Sequence, residues 1–196
     1  MTNPLLEPGT LPAFSKISPE MIEPAISELI AQNRSAIADL AKQENPDWNS
    51  LIEPLELMNP HLEKAWSPVR HLNSVKSSTE LRDAYNNCLP MLSEYATEIS
   101  QNRDLYQAYR IIAESSDYAE FSQAQQKTIS DALLHFRLGG VELEGDARLR
   151  YQKLQSELAE LQSRFENNLL DSTQAWQYLT EDEDELQGLP GYAIAI

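Results

Sequence analysis

Three histidines, one cysteine and a short acidic run are the residues whose types could support catalysis or metal binding in this chain. Zinc hydrolases commonly set two histidines one helical turn apart with a glutamate general base between them, because that spacing puts both imidazoles on one helix face. His61, His71 and His135 lack it. None stands within five residues of another, and no H-E-x-x-H occurs. A three-histidine site gathered from distant helices stays open beside the ordinary reading of surface or helix-packing histidines. Cys88 could serve as a thiol nucleophile with a histidine as base. Its place in an apolar stripe points instead to a small thiol packed as a hydrophobe. The serines have neither a G-x-S-x-G elbow nor a glycine-rich phosphate loop around them. Glu181-Asp182-Glu183-Asp184-Glu185 resembles a calcium loop only at its start. Counting from Asp182, a ligand position falls on Leu186 and the turn glycine on Gln187, so a solvated helix start fits better. Tyr106, Tyr109 and Tyr118 could line a peptide groove, although tyrosines so spaced commonly pack half-buried. The residues therefore predict no catalytic, no cofactor-binding and no metal-binding position in this chain.

The elements that would position these side chains are helical. Residues 1–17 carry three prolines and Gly9 between isolated apolar residues, which predicts an extended N-terminal arm. Ser18-Pro19 opens a helix, serine as an amide acceptor and proline at a position that loses no internal bond. Ile22, Ile26, Leu29, Asn33, Ile37 and Leu40 give it one buried face, and Pro46 closes it. From Asn49 toward Asn73 the pattern is helical again, but Pro54, Pro60 and Pro68 predict a kink or two short pieces. Ser78 caps a helix striped by Leu81, Tyr85, Cys88, Leu92, Tyr95 and Ile99. Leu105, Tyr109 and Ile112 mark a shorter one. Ser122 with Gln125 forms a capping box ahead of a helix buried through Ile129, Leu133 and Phe136. Gly139-Gly140 stops it, and Val141 to Asp146 is an acidic turn. A last long helix, from about Ala147 to Asp171, is predicted to bury Leu154, Leu158, Leu161, Phe165 and Asn168 or Leu169. Ala175 to Leu179 could be extended. The apolar finish at Ala193-Ile194-Ala195-Ile196 reads as the entry to a further element. The expected fold is all-α, an antiparallel bundle of about six helices, with 1–17 as the arm and 18–196 as one helical domain.

Composition narrows the function classes. With 15 basic and 31 acidic residues the net charge is −16, which repels nucleic acid and anionic membrane surfaces. No stretch approaches the roughly 18 apolar residues of a membrane span, and the start carries no basic n-region before an apolar core. A lone cysteine agrees with a reducing compartment. A cytoplasmic protein with neither nucleic-acid nor membrane partners is expected.

Several blocks of sequence are more specific than these patterns. They include Phe14-Ser15-Lys16-Ile17, Ser67-Pro68-Val69-Arg70-His71-Leu72-Asn73-Ser74-Val75-Lys76 and Glu80-Leu81-Arg82-Asp83-Ala84-Tyr85. Others are Leu92-Ser93-Glu94-Tyr95, Leu105-Tyr106-Gln107-Ala108-Tyr109-Arg110, the stretch from Asp131 to Gly140, and Phe165-Glu166-Asn167-Asn168-Leu169-Leu170-Asp171. Through them the chain, up to about Pro190, resembles the thimet-oligopeptidase-like family of zinc metallopeptidases. The resemblance implies a helical, clamp-like, cytosolic endopeptidase that cuts short peptides in a deep channel. It also implies zinc held by two histidines of an H-E-x-x-H helix and a downstream glutamate, with the motif glutamate activating water. Those positions fall in the family's C-terminal half, so no site residue carries over here. The expectation is a noncatalytic, channel-wall portion, truncated before the catalytic domain, with no cofactor of its own and zinc in the full-length enzyme. Its partners would be short peptides and the missing C-terminal catalytic domain. A free-standing helical peptide- or protein-binding module is the alternative.

Overall fold

The computed structural model describes residues 3–7, 9 and 11–194. The chain divides into two compact units, Met1–Ser163 and Arg164–Ile196. Among the described residues there is no strand, and the fold is all-α, as the periodicities predict. Six helices run eleven residues or longer: α1 (Pro19–Leu40), α2 (Glu53–Val75), α3 (Thr79–Ser100), α4 (Arg103–Ala113), α5 (Gln123–Leu138) and α6 (Gly145–Ala175); α7 (Gly191–Ile194) is a single turn. The arm is less extended than its prolines suggest. It turns at residues 4–6, winds into a 3-10 turn at Phe14–Lys16, and buries Leu5 against the body.

In the first unit, α1 packs on α2 and α3, α4 packs on α5, and α3 reaches α5. The core follows the stripes. Ile22, Ile26, Val69, Cys88 and Ile129 are fully buried, and Leu105, Tyr109 and Ile112 of α4 are nearly so. Caps set the helix starts. Ser78 Oγ accepts the Leu81 amide at 3.2 Å, and Ser122 with Gln125 makes the expected box. Ser18 sits at the N-cap position but accepts no first-turn amide, so the proline beside it starts α1 without that bond. Helix α1 ends at Leu40, well before the buried Pro46.

Helix α2 is one element and not two short pieces. Asp47 and Ser50 form a second capping box, one π-helical turn follows at Trp48–Ile52, and α2 then continues from Glu53 to Val75 with Pro60 and Pro68 inside it. An internal proline costs about 3 kcal/mol. Leu55, Ala65, Trp66 and Val69, all buried along the same helix, offset that, since each large apolar side chain taken from water contributes about 1.5–3 kcal/mol. Pro54 lies in the first turn, where a missing amide is harmless.

The predicted stop after α5 is a complete C-terminal motif. Gly140 takes a positive φ of 81°, its amide donates to the Arg137 carbonyl at 3.1 Å, and the Val141 amide donates to the Phe136 carbonyl at 3.0 Å. Val141 and Phe136 are both buried, which supplies the apolar contact that accompanies this turn. The acidic turn beyond it is held by Arg103, which donates to the carbonyls of Val141 and Leu143 and pairs with Glu144 at 3.1 Å.

The last long helix overturns the expected burial. Leu154, Leu158 and Leu161 are exposed, and Ser163 is the residue of α6 that is buried. The polar side of α6 provides the attachment. Arg148 and Gln152 both donate to the side-chain oxygen of the fully buried Gln101, each at 3.1 Å, and Ser163 bonds Asn86 at 3.0 Å. In the second unit, Phe165 and Leu169 are also exposed. The segment at 176–182 has no regular structure, and the acidic run forms a 3-10 turn, Glu183–Leu186, whose first free amide is capped by Asp182. Of the apolar finish, residues 195 and 196 lie outside the described residues.

Candidate functional site

The structure scatters the residues whose types suggested chemistry. His61 and His71 are exposed on α2, with the His71 ring 5.4 Å from Phe14, and His135 is exposed on α5. Among the described residues, no group of three or more histidine, cysteine, aspartate or glutamate side chains converges as a metal site would require. The side chains described here therefore do not fit a zinc ion. Of the three tyrosines, Tyr106 and Tyr109 both pack on the Phe136 ring, at 5.8 and 5.5 Å between centroids. Tyr106 donates to the Glu142 carboxylate at 3.2 Å, Tyr118 donates to the Gln126 carbonyl at 3.3 Å, and Tyr109 lines a groove.

Cys88 is fully buried between helices, and its thiol is pushed up to about 12 by burial, with the Glu23 carboxylate adding to it. A thiol so held carries almost no thiolate near neutral pH and cannot act as a nucleophile. Tyr109 is pushed up to about 12 by the same means, burial first and the charge of Glu56 second. Tyr95 is raised by burial, partly opposed by a hydrogen bond from Asn33. All three groups hold their protons more tightly folded than unfolded. The contribution of Cys88 and Tyr109 to stability is complete below their ordinary values of 9.0 and 10.0 and is lost as pH climbs from there toward 12; that of Tyr95 is likewise complete below 10.0 and lost above it. Melting temperature should be insensitive to these groups at pH 7–8 and fall steeply above pH 9. Cys88 should react with a thiol-specific reagent at pH 8 only as fast as the chain unfolds. Rapid labelling of the native protein would contradict its burial.

The groove that Tyr109 faces encloses about 600 Å³ and lies among α1 to α5, within the first unit. That is within the usual range for a ligand-sized site, roughly 300–1,000 Å³. Its walls are the inward stripes of the helices, among them Leu55, Leu92, Ile99, Leu105 and Phe136. Glu56, Thr128, Asp131 and His135 form its polar edge, and Asp131 is engaged by Lys127 one turn away. With the Tyr109 phenol held in its protonated form and apolar side chains along most of the walls, the arrangement suits binding of an apolar group. The sequence pattern marks Leu92, Ile99, Leu105 and Phe136 as inward, but neither Leu55 of α2 nor the gap between the helices. A stripe specifies which side of a helix turns inward, whereas a groove depends on how far apart neighbouring helices stand.

Residues 26–148 match the family profile described as Neurolysin/Thimet oligopeptidase, N-terminal domain. The chain belongs to this family. Every residue lining the groove falls inside that matched span. Oligopeptidase A of Haemophilus influenzae is 47% identical over 194 residues, which is 99% of this chain and 28% of the relative. Oligopeptidase A of Escherichia coli is 43% identical over 196 residues, 100% of this chain and 29% of the relative. A probable cytosolic oligopeptidase A of Arabidopsis thaliana is 32% identical, again across 100% of this chain and 28% of its own length. The chain thus spans less than a third of these members of the neurolysin/thimet oligopeptidase family. No helix of the described residues is long and apolar enough to cross a membrane.

Proposed function

We propose that this chain is the noncatalytic, channel-wall portion of a zinc metalloendopeptidase that hydrolyses short oligopeptides in the cytoplasm. Residues 1–17 serve as its arm and 18–196 as its helical domain. One observation carries the reading: a peptidase 47% identical over 99% of this chain has most of its own length outside the match. The catalytic zinc and the groups that activate water are placed by this reading in that further polypeptide; among the described residues here, no three such side chains converge as a metal site requires. What this portion contributes is a helical wall that excludes folded proteins by size and orients an extended peptide. No residue of it is proposed as catalytic.

The purified 196-residue chain should leave a quenched fluorescent peptide uncut, with or without added zinc, and should retain well under one zinc per chain after dialysis. Zinc-dependent turnover by the chain alone would refute the proposal. The groove lends support to a second reading, a free-standing peptide-binding module. Saturable binding of a labelled peptide by the isolated, cooperatively melting chain would favour it.

A further inference from the structure

Within the first unit, residues 145–163 of α6 attach by polar groups and leave Leu154, Leu158 and Leu161 exposed, the reverse of an ordinary surface helix. The attachments are Arg148 and Gln152 on Gln101, Tyr151 on the Leu138 carbonyl at 3.2 Å, and Ser163 on Asn86. Leu154, Leu158 and Leu161 follow one another at intervals of four and three residues and are 52%, 49% and 57% exposed. That interval places them along one side of the helix, as in the seam where one helix receives another. In the sequence, Phe165 and Leu169 continue the interval into the second unit, where each is exposed.

We propose that the Leu154, Leu158 and Leu161 side of α6 is the seam on which the further polypeptide of a full-length enzyme packs an apolar helix face. This rests on the function proposed above. Two observations select that occupant. The identity to the Haemophilus relative covers 99% of this chain, α6 included, while 28% of the relative accounts for the whole match, so a relative that shares this helix carries a large body of additional chain. A second copy is the poorer occupant, because each copy brings a net charge of −16 to the contact. Apolar side chains left together on a surface mark an interaction site when a partner is at hand.

The test co-expresses the tagged 196-residue chain with the part of Haemophilus influenzae oligopeptidase A that lies outside the match. The unchanged chain should co-purify with that part. The triple variant L154K/L158K/L161K should lose roughly tenfold or more of the co-purified partner. Leu57→Lys, at a 68% exposed position of α2, should lose none. Circular dichroism of each variant should be unchanged, because the replaced side chains already stand largely in water. Undiminished co-purification of the triple variant would overturn the seam and leave the proposed function standing. Absence of co-purification with the unchanged chain would overturn both. Self-association of the unchanged chain in sedimentation, abolished by the three lysines, would assign the seam to a second copy and overturn the proposal.

Discussion

Trp66→Ala should destabilise the chain by about 3–5 kcal/mol in urea unfolding followed by circular dichroism, whereas Leu158→Ala should cost only about 1 kcal/mol. Trp66 lies on the inward side of α2, only 8% exposed, with its ring stacked on Tyr85 of α3 at 4.8 Å and 13° between planes. Truncation removes both the apolar area and the stacking, and the surrounding helices cannot close the cavity without moving their own side chains. Leu158 is 49% exposed, so only about half of a full leucine transfer free energy is at stake there, and no stacked partner is lost. Equal costs for the two substitutions would mean that α6 buries its leucines in this chain, and would remove the exposed seam along with the packing described for Trp66.

The apolar stripes of α3 and α6 show where reading the sequence succeeds and where it stops. Tyr85, Cys88 and Tyr95 repeat at helical spacing and are buried where that spacing puts them, because α3 lies between other helices of the same unit and its apolar side has only one place to go. Leu154, Leu158 and Leu161 repeat just as clearly and are exposed. Periodicity states that one side of a helix is apolar; whether that side is covered depends on what else is present. Polar attachments such as Ser163 to Asn86 or Gln152 to Gln101 link residues 77 and 51 positions apart, and no local pattern announces them. The prolines of α2 do not divide it into two short pieces, for a related reason. Local cost was visible in Pro60 and Pro68, but the burial of Trp66 and Val69 that outweighs it is a tertiary property. Caps made of neighbours were legible at Ser78 and Ser122, and the box at Asp47 and Ser50 carried the same kind of signal, whereas Ser18 stands at its N-cap position without accepting a first-turn amide. The candidate groove was legible only as its separate walls. Tyr109 could be named as a residue for such a place, while its companions Leu55, Leu92 and Phe136 come from three other helices.

Gly139→Ala should cost about 1–3 kcal/mol, although the backbone there is ordinary for any residue. Gly139 has a φ of −72° at the end of α5, so the left-handed geometry that Gly140 requires does not explain it. Space does. A β-carbon at Gly139 would stand 2.4 Å from the Ser100 β-carbon and 3.0 Å from the His135 carbonyl oxygen, the first far inside van der Waals contact. Ser100 is the last residue of α3, so this glycine lets the ends of α3 and α5 approach each other. A steric origin predicts coupling. Ser100→Gly alone should be mildly destabilising, since it removes a hydroxyl bonded to the Thr97 carbonyl at 3.0 Å and places glycine at a helix end. The double variant should be more stable than the sum of the two single losses predicts, by about 0.5–3 kcal/mol, the range for residues in contact. Strictly additive losses in urea unfolding would show that α5 and α3 do not meet at this point, and would remove the helix-to-helix contact that closes this end of the first unit.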